Sequence, residues 1–308
     1  MTSAGLRYFL RKPHGWFFFL ASRGLTDWIP DEPYLRLLFR FSHGYALDLD
    51  HPKTINEKIQ WLKLYDRRPL YTLLSDKLAV KDYVAQRLGA DYVIPRIAGP
   101  WKSAAEIDFD ALPGQFVLKC THDSGGFAIC RDKELFDREA ARDMLARRLG
   151  RNYYYIQREW TYRDVPPRVF AEKYIPDCAL FDYKVMCFSG QPRLIQVHKN
   201  RFGAYTQDFY DTDWKPLDFS LGLPHSAAPD PRPPFLDELL DLSRQLGAGL
   251  PHVRLDWYRA DGRLYFGEFT FYDGSGLDPY VPTGFDRLFG DMLDLPTDNP
   301  SFSRKGEH

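Results

Sequence analysis

Two carboxylates and one arginine lie in a pair of segments in which polar and apolar residues alternate. Arg254 and Asp256 belong to the first segment, residues 253–258, and Glu268 belongs to the second, residues 264–270. The alternation is typical of the two strands of a β-hairpin. Carboxylates on one face of a hairpin suit Mg²⁺, and an arginine beside them could hold a phosphate through its fork of donors. The alternative is a surface ion pair between Arg254 and Glu268, with Asp256 in solvent.

The turn of this hairpin decides whether the two carboxylates share a face. A three-residue loop, Ala260 to Gly262, with glycine in the left-handed conformation, predicts that Asp256 lies opposite Phe266 and that Arg254 lies opposite Glu268. Because opposite residues share a face and side chains alternate with a period of two, Asp256 and Glu268 then point the same way. A two-residue loop would place the two carboxylates on opposite faces.

A lysine and a glycine-rich loop form a second candidate for phosphate chemistry. Lys119 ends an apolar, strand-like run, and Ser124, Gly125 and Gly126 follow in the next loop. Glycines allow backbone N–H groups to approach a phosphate, and a lysine on the preceding strand can reach the same oxygens. The chain has neither a P-loop motif nor a GxGxxG motif that joins a strand to a helix. The alternative is a plain hairpin turn beside a lysine that extends along apolar surface.

Helices are predicted before and between the β-rich segments. Thr54 is a candidate N-cap for an amphipathic helix ending at Tyr65, and Glu57 would complete a capping box. A second helix is predicted from Asp76 to Leu88. Changes in composition along the sequence predict four regions. Residues 1–95 are mostly helical, residues 96–176 and 177–296 are β-rich, and residues 297–308 form a polar tail that is predicted to be disordered.

Composition excludes several classes of protein. The chain of 308 residues has 41 basic and 42 acidic residues and a formal charge of −1, so it lacks the basic footprint of a nucleic-acid-binding protein. Its four cysteines form no CxxC pair, and they are predicted to be free thiols in a reducing, cytoplasmic compartment. Cys120 and Cys130 flank the glycine loop and could be neighbours on adjacent strands.

The N-terminal segment combines basic and aromatic residues. Arg7, Arg11 and Lys12 precede the apolar run 16–20, which is shorter than the roughly 20 residues of a membrane-spanning helix. No cleavage site for a secretory signal follows this run. The segment could lie on an anionic membrane surface at the inner face of the membrane, or it could pack on the protein itself.

Taken in order, these segments resemble the ATP-grasp superfamily, and most closely its TupA-like branch, which is linked to the synthesis of teichuronopeptide-type cell-envelope polysaccharides. The likeness extends from about Asn56 to Pro296. It is carried by seven stretches, at residues 56–61, 75–77, 116–119 with the glycine loop, 171–175, 182–184 with 188–190, 254–256 and 267–270. The resemblance implies an α+β fold in which two α+β subdomains clamp ATP. Residues 96–176 would be the small subdomain, and residues 177–296 would be the large subdomain with the metal site.

The resemblance also implies roles for individual residues. Asp256 and Glu268 would bind Mg²⁺, and Thr270 stands where many ATP-grasp proteins have asparagine, a better metal ligand. The catalytic residues would be Arg254, Arg201 and Lys184, with Arg254 on an acyl-phosphate and Arg201 on an acidic substrate. Residues that would contact ATP are Lys77, Lys119, Ser124, Gly125, Gly126, Glu172, Lys173, Tyr174, Ile175, Asp182 and Lys184.

The implied activity is that of a carboxylate–amine ligase. ATP would convert a carboxylate to an acyl-phosphate, and an amine would displace the phosphate to form an amide. The expected substrates are a uronic-acid carboxylate and an amino acid or other amine, in a capsular or cell-envelope glycan. His122, His198 and His252 are candidates for the base that keeps the amine neutral. The alternatives are a sugar kinase and a non-catalytic nucleotide-binding scaffold.

Overall fold

The computed structural model describes residues 13–176, 181–200 and 203–296. The predictions for Arg201, for Cys178 and for the tail 297–308 lie outside the described residues. The α-helices among the described residues are α1 (Pro13–Ser22), α2 (Asp31–His43), α3 (Ile55–Tyr65), α4 (Pro69–Ser75), α5 (Ala79–Leu88), α6 (Arg138–Leu149), α7 (Tyr154–Gln157), α8 (Leu236–Gly247) and α9 (Gly284–Asp291).

The strands form two antiparallel sheets. They are β1 (Arg96–Trp101), β2 (Phe116–Cys120), β3 (Phe127–Cys130), β4 (Val169–Lys173), β5 (Phe181–Phe188), β6 (Gln191–Lys199), β7 (Thr206–Tyr210), β8 (His252–Ala260) and β9 (Arg263–Thr270). The first sheet has the order β1-β4-β2-β3, and the second has the order β7-β6-β5-β8-β9. This arrangement of helices with antiparallel sheets confirms the α+β fold class. The sheets fall within the two predicted β-rich regions, although the division into subdomains stays a prediction.

Helix α3 begins as its sequence predicts. The Thr54 hydroxyl accepts a hydrogen bond from the Glu57 backbone N–H at 3.2 Å, and the Glu57 carboxylate accepts one from the Thr54 N–H at 3.0 Å. This capping box satisfies two backbone donors that would otherwise lack partners, and such a cap contributes about 1 kcal/mol. Ile55, Ile59 and Leu62 are buried on one side of the helix. The helix packs against α9 and against the turn that follows β9.

The five-stranded sheet has one apolar and one polar face, because side chains alternate along each strand. Val185 and Leu255 lie on the apolar face, which α8 covers and which belongs to the largest core of the protein. On the opposite face Lys184 lies beside Asp256 on the neighbouring strand, and Gln196 lies beside Lys184 on the other side. The alternation therefore places polar residues of three strands, two of them charged, on one surface.

The turn of the β8–β9 hairpin differs from the prediction. Ala260 pairs with Arg263, so the loop has two residues, Asp261 and Gly262, with φ values of 51° and 75°. Left-handed values at both positions are typical of the type I′ turn, which favours the sequence Asp-Gly. The prediction of a three-residue loop is therefore wrong.

The two-residue loop alone would place Asp256 and Glu268 on opposite faces of the hairpin, but a β-bulge in β9 returns them to the same face. Trp257 pairs with Phe266, but Asp256 pairs with Glu268, so Gly267 is an extra residue on β9. The predicted pairing of Asp256 with Phe266 is wrong, and Arg254 likewise lies opposite Thr270 and not opposite Glu268. Asp256 and Glu268 nevertheless share a face, because the bulge shifts the register of β9 by one residue.

Replacing Gly267 by alanine is expected to destabilise this bulge. A Cβ atom at Gly267 would lie 2.9 Å from Cε2 of Tyr258 and 3.1 Å from the carbonyl oxygen of Asp256. Overpacking of this kind lowers the free energy of unfolding by about 1–3 kcal/mol. Gly114→Ala is the control, because its backbone is not left-handed and no heavy atom lies within 4 Å of its Cβ position. Denaturant titration of both variants measures the difference, and a Gly267→Ala variant as stable as Gly114→Ala would contradict the steric argument.

The described cysteines are buried free thiols, as predicted: Cys120, Cys130 and Cys187. The expected proximity of Cys120 and Cys130 is wrong. Cys130 pairs with Phe116, at the opposite end of β2 from Cys120. Strands β2 and β3 run in opposite directions from the glycine turn, so a residue at the end of β2 next to that turn cannot pair with the far end of β3.

Candidate active site

A cleft that is open to solvent at its mouth lies between the two sheets. The turn Ser124–Gly126, Lys119 of β2 and Glu172 of β4 line one side of it. Glu268 of β9 lines the other side, and Lys77, which precedes α5, lies beside it. The structure thus brings together six of the predicted nucleotide-binding residues and one of the two predicted metal ligands.

The glycine turn joins β2 to β3, and a backbone hydrogen bond connects its two ends. The backbone N–H of Cys120 donates to the carbonyl oxygen of Gly126 at 2.8 Å, and Gly125 has a φ of 83°. A side chain at Gly126 would overlap the carboxylate of Asp123, which is buried and pairs with Arg148 at 3.1 Å. Glycine is therefore required at both positions, by conformation at the first and by space at the second.

A buried carboxylate holds two lysines at the back of the cleft. Glu172 is 3% exposed, and its two oxygens pair with Lys119 and, at 2.8 Å, with Lys81. Burial acts to raise the pKa of Glu172, but the two lysines lower it below its usual range. Burial lowers the pKa of Lys81 despite its pairing with Glu172. Lys81 was not among the residues predicted from the sequence, although its spacing of four residues from Lys77 in a predicted helix places both on one helical face.

The second lysine–carboxylate pair connects the segment before α5 to the hairpin. Nζ of Lys77 lies 2.6 Å from Glu268, whose side chain is 34% exposed, and Arg254 lies 3.8 Å from the same carboxylate. Burial opposes ionisation of Lys77, but attraction to Glu268 raises the pKa of Lys77 above its ordinary value. Burial likewise opposes ionisation of Glu268, yet Lys77 and Arg254 hold the pKa of Glu268 far below its usual range. Both groups are therefore charged at neutral pH.

Behind Glu268, charges of opposite sign alternate across the polar face of the five-stranded sheet. The carboxylate of Asp256 accepts hydrogen bonds from Nε of Arg254 at 2.7 Å and from its Nη2 at 2.9 Å, and it also accepts one from Lys184. Lys184 pairs in addition with Asp182 at 2.7 Å. Burial would lower the pKa of Lys184, but Asp182 and Asp256 raise it. The predicted residues Arg254, Asp256, Lys184 and Asp182 thus form one network that adjoins the cleft through Glu268.

The remaining predicted contacts lie at the end of β4 and directly after it, and their side chains are outside the cleft lining. Lys173 is exposed, and its backbone N–H donates to the carbonyl oxygen of Pro95 at 2.9 Å. The Tyr174 hydroxyl accepts a hydrogen bond from Arg131 at 3.3 Å. Ile175 is buried in a small apolar cluster. Adenine recognition by this segment stays a prediction, and it would use backbone groups.

The three candidate histidines lie outside the cleft lining. A ring nitrogen of His122 lies 3.2 Å from the carbonyl oxygen of Arg148, and Nδ1 of His198 lies 2.6 Å from the hydroxyl of Tyr205. His252 is buried against Phe188, and this burial lowers the pKa of His252 to about 4. His198 lies opposite Asp182 on the neighbouring strand, and His252 lies two positions before Arg254 on β8, so these two border the charged network around Asp256, whereas His122 lies beside the glycine turn.

A family model describing TupA-like ATP-grasp proteins matches residues 57–294. The chain belongs to this family. The match spans the glycine turn, the segment after β4 and the carboxylates of the β8–β9 hairpin, and it confirms the resemblance. No curated protein matches the chain in sequence.

The TupA-like chain is similar in structure to several ATP-grasp ligases. A D-alanine–D-alanine ligase from Bacillus anthracis in complex with ATP shares 17% identity, with a TM-score of 0.37, 65% of this chain covered and 55% of that one. The corresponding ligase from Helicobacter pylori shares 16% identity, with a TM-score of 0.43 and coverages of 78% and 69%. The D-cycloserine synthetase DcsG shares 17% identity, with a TM-score of 0.40 and coverages of 82% and 73%. The chain therefore spans little more than half the length of the first of these ligases.

Proposed function

We propose that this TupA-like protein is an ATP-dependent carboxylate–amine ligase. The observation that carries the proposal is the direct pairing of Asp256 with Glu268 on one face of the β8–β9 hairpin, across a cleft from Lys119 and the turn Ser124–Gly126. Acidic oxygens on one side and basic or backbone N–H groups on the other are what a triphosphate with its metal ion requires.

The cleft lining matches the two ends of ATP. Val93, Ile94, Phe127, Tyr258 and Phe266 provide apolar surface, which suits an adenine ring. The cationic lining residues lie around the same cleft and suit the phosphates: Lys77, Lys81 and Lys119. Because each of these lysines is paired with a carboxylate, phosphate binding would exchange one anionic partner for another.

The hairpin fits a magnesium ion with few protein ligands. The part of the chain that the structure describes has no cluster of three or more His, Cys, Asp or Glu side chains arranged as a metal site. Asp256 and Glu268 are hard oxygen donors on adjacent strands, and they would hold Mg²⁺ together with phosphate oxygens and water. The ion would neutralise negative charge on the phosphates during transfer. The protein's own contribution there is to place Lys77, Arg254 and Lys184 around the two carboxylates and to keep Glu268 ionised, since Lys77 and Arg254 lower its pKa.

The residues around Asp256 would serve the transferred phosphoryl group. Arg254 is oriented by Asp256 and offers donors beside Glu268, where it would steady an acyl-phosphate. Lys184 would add positive charge from the adjacent strand. The substrate carboxylate would attack the γ-phosphate to give ADP and the acyl-phosphate, and a neutral amine would then displace phosphate to form the amide. Alignment and charge neutralisation provide the catalysis, without a covalent nucleophile on the enzyme.

For the substrates we propose a uronic-acid carboxylate and an amino acid or other amine, in a capsular or cell-envelope polysaccharide or its precursor. This part of the proposal is supported by membership of the TupA-like family. Arg201, outside the described residues, remains the proposed contact for the acidic sugar. Its neighbour Lys199 is held between Asp208 at 2.8 Å and Asp230 at 2.7 Å, so that lysine is engaged within the protein.

An ADP-release screen tests the proposal and separates it from the alternatives. The protein is incubated with Mg²⁺, ATP, amino acids, and uronic acids or their nucleotide sugars, and the products are analysed. A ligase requires both a carboxylate and an amine and yields ADP, phosphate and an amide. A sugar kinase yields ADP without free phosphate and needs no amine, and a scaffold binds ATP without turnover. Either of the last two results would reject the ligase.

We also propose that the protein works in the cytoplasm, at the anionic inner face of the membrane. Leu25 is 60% exposed and Trp28 is 80% exposed in the turn after α1. Residues 1–26 contain basic residues but no Asp or Glu. Exposed apolar side chains that follow a basic stretch in the sequence favour binding to a surface of anionic lipid headgroups. None of the helices within the described ranges combines the length and apolar character needed to cross a bilayer.

Vesicle binding tests this contact. The wild-type protein is expected to sediment with vesicles containing phosphatidylglycerol and not with vesicles of phosphatidylcholine alone. The double variant Leu25→Ser, Trp28→Ser should lose most of this binding, by about 10-fold, because two exposed apolar contacts are removed. Leu135→Ser is the matched control, since Leu135 is also strongly exposed, at 84%, but lies in the loop between β3 and α6. Equal sedimentation of the double variant and the wild type would rule out membrane binding by this surface. Dimerisation of the wild type that depends on concentration and is lost in the double variant would also rule it out, because the surface would then bind a second copy of the chain.

A further inference from the structure

The turn that follows β9 has an unusual backbone. Gly274, Ser275 and Gly276 have φ values of 52°, 57° and 62°, so three consecutive residues are left-handed. A left-handed conformation costs a non-glycine residue such as Ser275 about 1 kcal/mol or more. Other contacts must therefore hold the turn Asp273–Gly276 in this conformation.

Two buried side chains of α3 provide those contacts. Nζ of Lys63 donates to the carbonyl oxygen and to the hydroxyl of Ser275, both at 2.7 Å. Nε2 of Gln60 donates to the carbonyl oxygens of Ser275 at 3.0 Å and Gly276 at 2.9 Å. Lys63 and Gln60 are both 0% exposed, so these hydrogen bonds do not compete with water. A side chain at Gly276 would meet the Gln60 amide at 2.5 Å, so only glycine allows this approach.

The burial of Lys63 is costly and is only partly compensated by charge. Burial lowers the pKa of Lys63 to about 7, against the attraction of the buried Glu159 carboxylate. The carbonyl oxygen of Gln157 at 3.1 Å is a second backbone acceptor for Nζ, and the side-chain oxygen of Gln60 accepts from it at 3.2 Å. An apolar side chain of similar size would avoid the cost of burying an amine. The amine is therefore best explained by the backbone that it holds.

The same turn carries the residue that orients Arg254. One oxygen of Asp273 accepts a hydrogen bond from Nη1 of Arg254, and the other accepts one from Gln196 at 2.8 Å. The remaining guanidinium nitrogens of Arg254 donate to Asp256. The planar guanidinium is thus fixed between the hairpin on one side and the turn on the other.

We infer that Lys63 is a positioning residue for the active site: through the turn Asp273–Gly276 it sets the orientation of Arg254. Lys63 belongs to a helix that precedes both sheets in the chain, and it lies 212 positions before Ser275. Through this contact the helix controls the orientation of a side chain in the proposed catalytic network. The role assigned to Arg254 rests on the proposed function, whereas the hold of Lys63 on the turn does not.

Hydrogen exchange tests the hold on the turn without any assay of activity. The Ser275 N–H donates to the Tyr272 carbonyl oxygen at 2.8 Å, and the Leu277 N–H donates to that of Gly274 at 3.0 Å. In Lys63→Met these amides should exchange about 10-fold faster or more, because the turn loses its buried donor. Lys58→Met is the control on the same helix, since Lys58 donates to Gly290 and Leu293 instead. Unchanged exchange in Lys63→Met, or equal acceleration in Lys58→Met, would overturn the inference.

A double-mutant cycle tests the path to Arg254. Misplacement of Arg254 should lower kcat for ADP formation by about 10-fold in Lys63→Met and in Asp273→Asn, with KM for Mg-ATP nearly unchanged. If Lys63 acts through Asp273, the double variant should also lose about 10-fold, and not about 100-fold as for independent sites. Multiplying effects, or a lower melting temperature with unchanged kcat, would reject the path. If the wild type forms no ADP, the proposed function fails, and NMR exchange of the Arg254 Nε–H, compared in Lys63→Met and wild type, decides the positioning claim.

Discussion

Replacing Glu268 by glutamine should lower the rate of magnesium-dependent ADP formation by about 100-fold or more, since Glu268 would hold the Mg²⁺ that neutralises negative charge in the transition state. Glutamine keeps the size of the side chain and a neutral acceptor, but it binds Mg²⁺ poorly. Glu268 is 34% exposed and its closest ionic partner is Lys77 at 2.6 Å, and Lys77, which loses this partner, lines the open cleft where solvent can reach it. The fold should therefore survive while turnover is lost.

Asp256→Asn should have an effect on ADP formation of the same size, with an additional cost to stability. Asp256 is 2% exposed and lies between Arg254 and Lys184, so the neutral asparagine leaves buried positive charge less well compensated. Arg254 keeps Asp273 and Lys184 keeps Asp182 as partners, which limits this cost. Thermal unfolding of each variant separates lost stability from lost catalysis.

The control for both variants is Asp261→Asn at the tip of the same hairpin. Asp261 has a φ of 51°, a conformation that asparagine also adopts readily. This change removes one negative charge from the hairpin without touching the cleft. Turnover should stay within about 2-fold of wild type, because exposed substitutions away from a site have small effects. If Asp256→Asn or Glu268→Gln behaves like this control, the hairpin is not the metal site.

The local features of the fold were predictable where short-range chemistry decides them. Residue types only a few positions apart determine the capping box of Thr54 and Glu57 and the alternation along β8 and β9. Their prediction required no knowledge of distant contacts. The same holds for the glycine turn, where Gly126 avoids the carboxylate of its neighbour Asp123.

The hairpin shows how a correct conclusion can follow from two errors. The prediction made the loop one residue too long, and it missed the extra residue, Gly267, in β9. Each error shifts the register by one position, so Asp256 and Glu268 still share a face. The bulge depends on the position of the Tyr258 ring and the Asp256 carbonyl, neither of which the local sequence specifies.

Contacts between residues far apart in the chain could not be predicted from the sequence. Lys81 meets Glu172 across 91 positions, and Lys63 meets Ser275 across 212 positions. No periodicity within one helix reveals such pairs, because a buried lysine and an exposed one occupy similar helical patterns. The charge network around Arg254 likewise depends on how three strands and the turn after β9 come together.

Lys119→Ala should weaken the binding of Mg-ATP by about 10- to 100-fold, which is the loss of one charge-assisted hydrogen bond to phosphate. Lys119 lines the cleft beside the glycine turn, and no other side chain of β2 can replace it there, because the neighbouring residues of the strand point to the opposite face. Titration calorimetry of the folded variant measures the affinity. Lys102→Ala is the control, since Lys102 is exposed and outside the cleft lining.

A second substitution separates loss of the nucleotide contact from an indirect effect on Glu172. Without Lys119, Glu172 keeps only Lys81 as an ionic partner, so the group changes from a net charge of +1 to neutral, and the carboxylate would weaken the attraction of Lys81 for phosphate. In the double variant Lys119→Ala, Glu172→Gln this weakening is absent, while the phosphate contact is still missing. Weak binding should therefore persist in the double variant. Recovery of wild-type affinity would show that Lys119 serves only to neutralise Glu172, and the triphosphate would then have to be held by Lys77, Lys81 and the glycine turn.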